Sequence, residues 1–298
     1  MFTSKFGIEI EFTGITRTRA AEVAAEHLGG RVSGTSVTAP DGRVWKFTYD
    51  GSITCRRKEH GRIVPAGNDY SVELVSPILS YREDIDTLQE LIRKLRKAGG
   101  FVGKTEGIHI HLDGAPHTPR SIRNFVNIIA SKNDLFYKAL QIEPDRMRYC
   151  KKMDEYMVRR MNEKKPKTFG EIEDIWYAGY SGGRSGHYHD SRYHFLNLHS
   201  FFHGHRTVEL RGFNAADEKG HLHAGKIRSY IVLALALNHQ ALTQKSASSK
   251  KPQVENEKFA MRVYLNRIGF IGQEFKNCRE HLCQHLSGNS AWRYRVGA

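Results

Sequence analysis

Four short segments of this chain place acidic, His and Arg side chains at every second residue: Phe6-Gly7-Ile8-Glu9-Ile10-Glu11-Phe12, Ser71-Val72-Glu73-Leu74-Val75, Ile108-His109-Ile110-His111-Leu112-Asp113 and Thr207-Val208-Glu209-Leu210-Arg211. That spacing is the period of one face of a β-strand, so Ile8, Ile10 and Phe12 can face an apolar core while Glu9 and Glu11 share the other side. His109, His111 and Asp113 stand in the same relation to Ile108, Ile110 and Leu112. A strand face turned to water ordinarily scatters Lys, Thr and Glu. Here the four segments offer at least three carboxylates, two imidazoles and a guanidinium. That inventory is what a divalent metal and a phosphate need.

Each segment also has a plainer reading. Glu9 and Glu11 would lie ~6.6–7 Å apart along their strand, and two such carboxylates repel unless cations sit between them. Metals ~3.5–4 Å apart, clamped from one wall, fit that geometry; so does a solvated strand edge. The His109-x-His111-x-Asp113 pattern fits zinc hydrolases, copper sites or merely hydrogen-bonded histidines, and Gly107 before it permits close backbone approach. Glu209, with Arg206 and Arg211 beside it and Arg192 upstream, is either a salt bridge or a metal carboxylate among guanidiniums that match phosphate oxygens. Cys278-x-x-His281-x-Cys283-x-His285 invites a zinc reading, but on a helix Cys283 points away from the face shared by the other three.

The elements that must position these residues read as follows. A strand over 5–13 is followed by a helix over 16–28, closed by Gly29-Gly30. Strands come next near 31–38, 43–49 and 52–57, with Asp50-Gly51 as a hairpin signal between the last two. A loop over 59–69 leads to a strand over 70–75 that ends at Pro77. Apolar residues at helical spacing from Ile85 to Leu95 mark a helix stopped by Gly99-Gly100. A strand over 106–113 precedes a helix opened by Pro116 and Pro119 and running to about 130. Residues 131–179 read as a charged helical insertion broken at Pro144 and Pro166, and 180–187 as a Gly-rich loop. Strands at 193–199 and 206–213, a helix over about 219–243, an exposed linker over 246–252 and two amphipathic helices in 254–286 complete the chain. The fold class expected is α+β, a mostly antiparallel sheet with helices over one face.

Bulk numbers narrow the class. With 39% hydrophobic and 26% charged residues among 298, the composition is that of a globular protein with a sizeable core. No run approaches the ~18 apolar residues of a membrane helix, the longest being Tyr230 to Leu237. The first residues carry no signal-peptide apolar region, and four scattered cysteines suit a reduced compartment. A cytoplasmic location with no membrane partner is expected. The net charge of +14 favours a polyanionic partner: nucleic acid, a nucleoside triphosphate or an acidic polymer. No nucleic-acid-binding motif accompanies it, so that partner has charge alone in its favour.

Taken in order, the motifs resemble the amidoligase family, a branch of the glutamine synthetase and glutamate–cysteine ligase superfamily of carboxylate–amine ligases. The matching features are Gly7 to Phe12, Asp50-Gly51-Ser52, Val72 to Pro77, Gly107 to Asp113, Arg192 to Asn197 and Thr207 to Arg211. They span residues 5–240. The resemblance implies a curved, mostly antiparallel sheet forming a funnel like the synthetase catalytic domain, with ATP and two or three Mg²⁺ or Mn²⁺ ions inside. It implies an acyl phosphate that an amine converts to an amide. By matched position Glu9, Glu11, Glu73, His109 and Glu209 would hold metal, and His111 would lie near the phosphates. Arg192 and Arg211, with Arg206, would neutralise transferring charge, and Asp50, Ser52 and Asn197 would face substrate. The domain organisation that follows is a catalytic domain over 1–245, carrying the insertion at about 131–179, and a linker with helical extension over 246–298 packed upon it. The chain lacks the synthetase's small N-terminal domain and long nucleotide loop, so substrate identity does not carry over.

The expected function is therefore an ATP- and metal-dependent carboxylate–amine ligase. A metal-dependent hydrolase built on His109, His111, Asp113 and Glu9 is the alternative, and it leaves Glu209, Arg211 and Arg192 idle. A basic nucleic-acid-binding module is the third. Lys151, Lys152, Arg159, Arg160, Lys164, Lys165 and Lys167 crowd the insertion. That excess is more than ATP requires: it is either the solvated face of a basic helix pair or the mark of an amide formed on or beside a larger anionic molecule.

Overall fold

A computed structural model describes residues 2–215, 217 and 219–291. The last part of the expected C-terminal extension, 292–298, lies outside the described residues. The fold is α+β, as the strand and helix periods predict. Eight strands form one open sheet: β1 Phe6–Phe12, β2 Arg31–Ser33, β3 Ser36–Thr38, β4 Val44–Thr48, β7 Val72–Val75, β8 Gly107–Asp113, β9 Leu196–Asn197 and β10 Thr207–Asn214. Their spatial order is β2-β3-β4-β7-β1-β8-β10-β9, and every neighbouring pair is antiparallel. A separate ribbon pairs β5 Arg56–Glu59 with β6 Arg62–Pro65.

The helices are α1 Arg17–Leu28, α2 Tyr81–Lys97, α3 Pro119–Ala139, α4 Glu155–Lys164, α5 Phe169–Tyr177, α6 His199–His203, α7 Ala224–Thr243, α8 Glu257–Arg267 and α9 Lys276–Cys283. Their ends follow local chemistry. Thr16 Oγ1 accepts from Arg19 N at the start of α1, and Gly29 closes it at φ 65°. Thr118 and Ser121 form a reciprocal capping box before α3, with Pro119 in its first turn. The apolar faces of β1, β7 and β8 meet α2, α3 and α7 in a single core. Residues 231–237 of α7 are apolar throughout and at most 1% exposed, because α7 is packed by β8, α2, α3 and α9 together. Among the described residues, no helix is long and apolar enough to cross a membrane.

Three expectations require correction. The strand expected over 52–57 begins only at Arg56, as β5, and Asp50-Gly51 is not a hairpin turn. The Asp50 carboxylate instead accepts from Ser52 N at 2.6 Å, and Asp50 N donates to Ser71 Oγ, which turns the chain away from β4. The hairpin sits later, inside the segment read as a loop, at His60-Gly61. Both residues there have positive φ (49° and 78°), the condition for a tight two-residue turn. The expected strand 193–199 shrinks to Leu196–Asn197, because Asn197 Oδ1 accepts from His199 N and starts α6. Finally, α3 runs nine residues past its expected end at 130, to Ala139. The 246–252 linker is mostly exposed but pinned: Ala247 N and O bond Asn124 and Asn127 of α3, and Ser249 Oγ accepts from Asn162.

Candidate functional site

Strand register converts the sequence pattern into one polar surface. On the sheet face opposite the core, Thr48 pairs with Glu73 and Glu73 with Glu11 across β4, β7 and β1. Glu9 pairs with His109 across β1 and β8. His111 pairs with Glu209 and Glu209 with Asn197 across β8, β10 and β9. Six strands thereby contribute to a single cluster, since residues opposite one another on antiparallel strands bring their side chains together.

Its members are interlocked. Glu9 Oε2 lies 2.9 Å from His109 Nδ1, and Glu9 Oε1 lies 3.2 Å from His111 Nε2. Glu209 takes Arg211 Nη1 on one oxygen at 2.5 Å and Asn197 Nδ2 on the other at 2.7 Å. Glu11 Oε2 accepts from Gly107 N at 2.6 Å, and Thr48 Oγ1 donates to Glu73 Oε2 at 2.9 Å. Glu209, Arg211, Asn197 and Glu11 are buried. Buried charge of this density is sustained only by pairing.

Carboxylates outnumber cations, and the surroundings of each group decide where the excess lies. Burial would raise Glu9, but the His111 charge and hydrogen bonds from His109 and His111 hold it well below the ordinary carboxylate range. Burial likewise opposes ionisation of Glu209, which Arg211 and then His111 overcome, holding it at about 2. Desolvation acts against protonation of His111 too, and Glu209 and Glu9 outweigh it, raising the imidazole to about 9. Glu73 is the group left over: burial first, then the charges of Glu9 and Glu11, push it up to about 8, with only the Thr48 bond in opposition.

Three overlapping triads have their donor atoms within 4.8 Å of one another: Glu9, His111 and Glu209; Glu9, Glu73 and His109; Glu11, Asp50 and Glu73. Shared Glu9 and Glu73 make them adjacent, so the face has donors for more than one cation. Oxygen-dominated sets with an occasional imidazole fit Mg²⁺ or Mn²⁺.

Residues 3–238 match a family described as "Putative amidoligase enzyme". The chain belongs to the amidoligase family. Its name is that of an amide-bond ligase. No curated protein matches this sequence.

The amidoligase fold brings Glu9, Glu11, Asp50, Glu73, His109, His111, Asn197, Glu209 and Arg211 together and leaves other expected residues aside. Asp50, read as facing substrate, joins Glu11 and Glu73; Ser52 is exposed two residues on. Arg192 is one ring away: its guanidinium and that of Arg211 both lie over Tyr193, at 5.9 and 6.0 Å, and its Nη1 donates to His187 O of the Gly-rich loop. Arg206 is elsewhere, exposed with φ 55° and stacked on Phe169 and Phe201. It lies just before β10, in a left-handed backbone conformation, while Thr207 after it turns its Oγ1 to His111 Nδ1. Asp113 is exposed and caps Ala115 N, which removes the third ligand of the HxHxD hydrolase reading. At the C-terminus, His281 Nδ1 bonds Ser229 Oγ, Cys278 and Cys283 are buried thiols with raised pKa, and no metal cluster forms there among the described residues.

Sequence reasoning missed Arg146. This 3%-exposed residue of the insertion donates from Nη1 to Phe213 O at 2.6 Å and to Asn214 Oδ1 at 3.2 Å, and from Nη2 to Arg211 O at 3.0 Å. The register of β10 against β8 shifts by one residue between Leu210 and Phe213. That bulge lets Arg211 stay with the cluster while Phe213 returns to the core. Arg146 supplies donors to the carbonyls the bulge leaves unpaired, and Tyr149 O accepts from Arg211 Nε at 3.4 Å. Arg146 and Tyr149 thus hold Arg211 in place. The signal was Gly107: a Cβ there would lie 2.1 Å from Arg146 Nη2. Glu106, fully buried against Arg56 and Gly103 N, was missed as well.

Proposed function

We propose that this amidoligase is a carboxylate–amine ligase driven by ATP and Mg²⁺ or Mn²⁺, working through an acyl phosphate. The observation that carries the reading is the set of three overlapping donor triads with Arg211 at one end. A hydrolytic site with one metal has no use for so many carboxylates.

Glu9, Glu11, Glu73, His109 and Glu209 would hold the cations, with Asp50 beside Glu11 and Glu73. When bound, the cations supply charge neutralisation for the triphosphate and the phosphoryl group in flight. A substrate carboxylate oxygen attacks the γ-phosphorus, the β–γ bridging bond breaks, and ADP leaves. An amine nitrogen then adds to the acyl carbon, the bond to phosphate breaks, and the nitrogen loses a proton.

The chain's own contribution is positioning. Nε and Nη1 of Arg211 are engaged by Tyr149 O and Glu209, which leaves Nη2 to meet a phosphate oxygen. His111, charged and fixed by Thr207 and Glu9, would face the same oxygens. Asn197 locks the Glu209 carboxylate rather than reaching for substrate. Arg192 lies at the Gly-rich loop, where closure over an acyl phosphate would exclude water.

Purified protein with Mg²⁺, ATP and a panel of amino acids, polyamines and peptides should release ADP and phosphate only when the right pair is present, and mass spectrometry of the product names that pair. A full panel without stimulation over ATP alone, together with no nucleotide binding by calorimetry, refutes the proposal.

A further inference from the structure

Away from the carboxylate cluster, on the outer side of the helix layer, four basic residues gather. Lys132 of α3, His239 of α7, Arg267 at the end of α8 and Lys250 of the 244–252 strap line a cleft of about 710 Å³. Among the described residues, no Asp or Glu lines it. The acids nearby are already used: Glu257 pairs with Lys138, and Asp134 with Lys152 and Lys251. Glu255 borders only the adjoining cleft, which shares Lys132, Tyr264 and Arg267 with this one.

Lys132 is the telling residue. Its ammonium lies 5.1 Å from the centre of the Tyr264 ring, and the Tyr264 hydroxyl donates to Gln240 at 2.8 Å, so the ring is a fixed wall. Burial, followed by the charge of Arg267, pulls the Lys132 pKa down. Two cations thus share a half-buried cleft, and among the described residues neither forms a salt bridge, which costs stability in the empty state. Hydroxyls of Ser131, Thr243 and Ser248 share the walls, and Ile128 and Ile268 give apolar surface. The volume lies in the range of small-molecule sites.

We propose that this cleft binds a small, multiply charged oxyanion, either a phosphate compound or a polycarboxylate, at a site separate from the carboxylate cluster. The sheet and α7 stand between the two, since α7 packs on β8 on one side and lines the cleft on the other. The inference does not depend on the reaction proposed above.

Calorimetric titration and thermal shift of the full chain, in buffer with a chelator and constant ionic strength, would use inorganic phosphate, pyrophosphate and citrate as probes. At least one should bind saturably, and comparing pyrophosphate with citrate distinguishes the two sources of charge. Lys132→Gln and Arg267→Gln should each weaken that binding by roughly tenfold, the usual worth of a charge-assisted contact. Arg267 is exposed, so its variant keeps the test valid if Lys132→Gln folds poorly. ATP hydrolysis or ligation by Arg267→Gln without the probe should equal that of the wild type. No saturable binding by any probe, or binding that both variants retain in full, overturns the proposal.

Discussion

Replacing Glu73 by Gln should make the metal-free protein more stable at alkaline pH while destroying its response to divalent metal. A carboxyl whose folded pKa is raised binds its proton more tightly in the folded than in the unfolded chain. Its contribution is complete below the ordinary value of 4.5 and is lost as pH rises through about 8. At 1.36 kcal/mol per unit the shift would amount to ~5 kcal/mol at high pH. Water and ions entering the site's open side reduce this, and we take about 2 kcal/mol as the effect. For a chain of this length that is roughly 4 °C in Tm. Gln keeps an acceptor for Thr48 and nearly the volume of Glu, so the swap removes the charge and little else. Scanning calorimetry with a chelator should show wild type and Glu73→Gln nearly matched at pH 5, and the variant more stable by about that margin at pH 8.5. His111, raised to about 9 by Glu209 and Glu9 against the effect of burial, adds a slope of the same sign that both proteins share. Mn²⁺ at pH 8 should stabilise wild type much more than the variant. A metal-free Glu73→Gln that is less stable than wild type at pH 8.5 refutes the account of Glu73 as the surplus charge.

Other variants divide the site. Glu9→Gln and Arg211→Lys should each abolish ligation with the fold retained by circular dichroism, because the first removes a carboxylate shared by two triads and the second a planar fork; near-normal rates in either would remove that residue from the centre. Arg206→Ala should turn over within about twofold of wild type, since its guanidinium stacks on Phe169 and Phe201 instead. Arg146→Met should cost about 2–4 kcal/mol in denaturant unfolding through the stranded carbonyls of Arg211 and Phe213. Neutralising Lys151, Lys164, Lys165 and Lys167 together should raise KM for an anionic acceptor and flatten its salt dependence without moving KM for ATP; unchanged acceptor kinetics at low salt would mark those charges as surface only.

Period-2 placement of Glu9, Glu11, Glu73, His109, His111 and Glu209 was legible in the chain, because alternation alone assigns a strand residue to one face. Helix ends were equally legible where Thr16, Gly29 and Pro119 act on their own neighbours. What the sequence could not show is anything that depends on which strands lie side by side. Asp50 reads as a hairpin turn until β4 is seen to pair with β3 and β7, after which its carboxylate meets Glu11 and Glu73. Arg206, just before β10 and with a left-handed backbone, stacks on Phe169 and Phe201, and a bulge lets Arg211 stay with Glu209 while Phe213 returns to the core. That bulge depends on Arg146, 65 residues earlier in the chain. Local spacing sets the face a side chain takes, since that is fixed by its own backbone torsions. Register, the bulge and the distant donor that satisfies it come from packing and hydrogen bonds between segments far apart in sequence, and only the tertiary structure decides them.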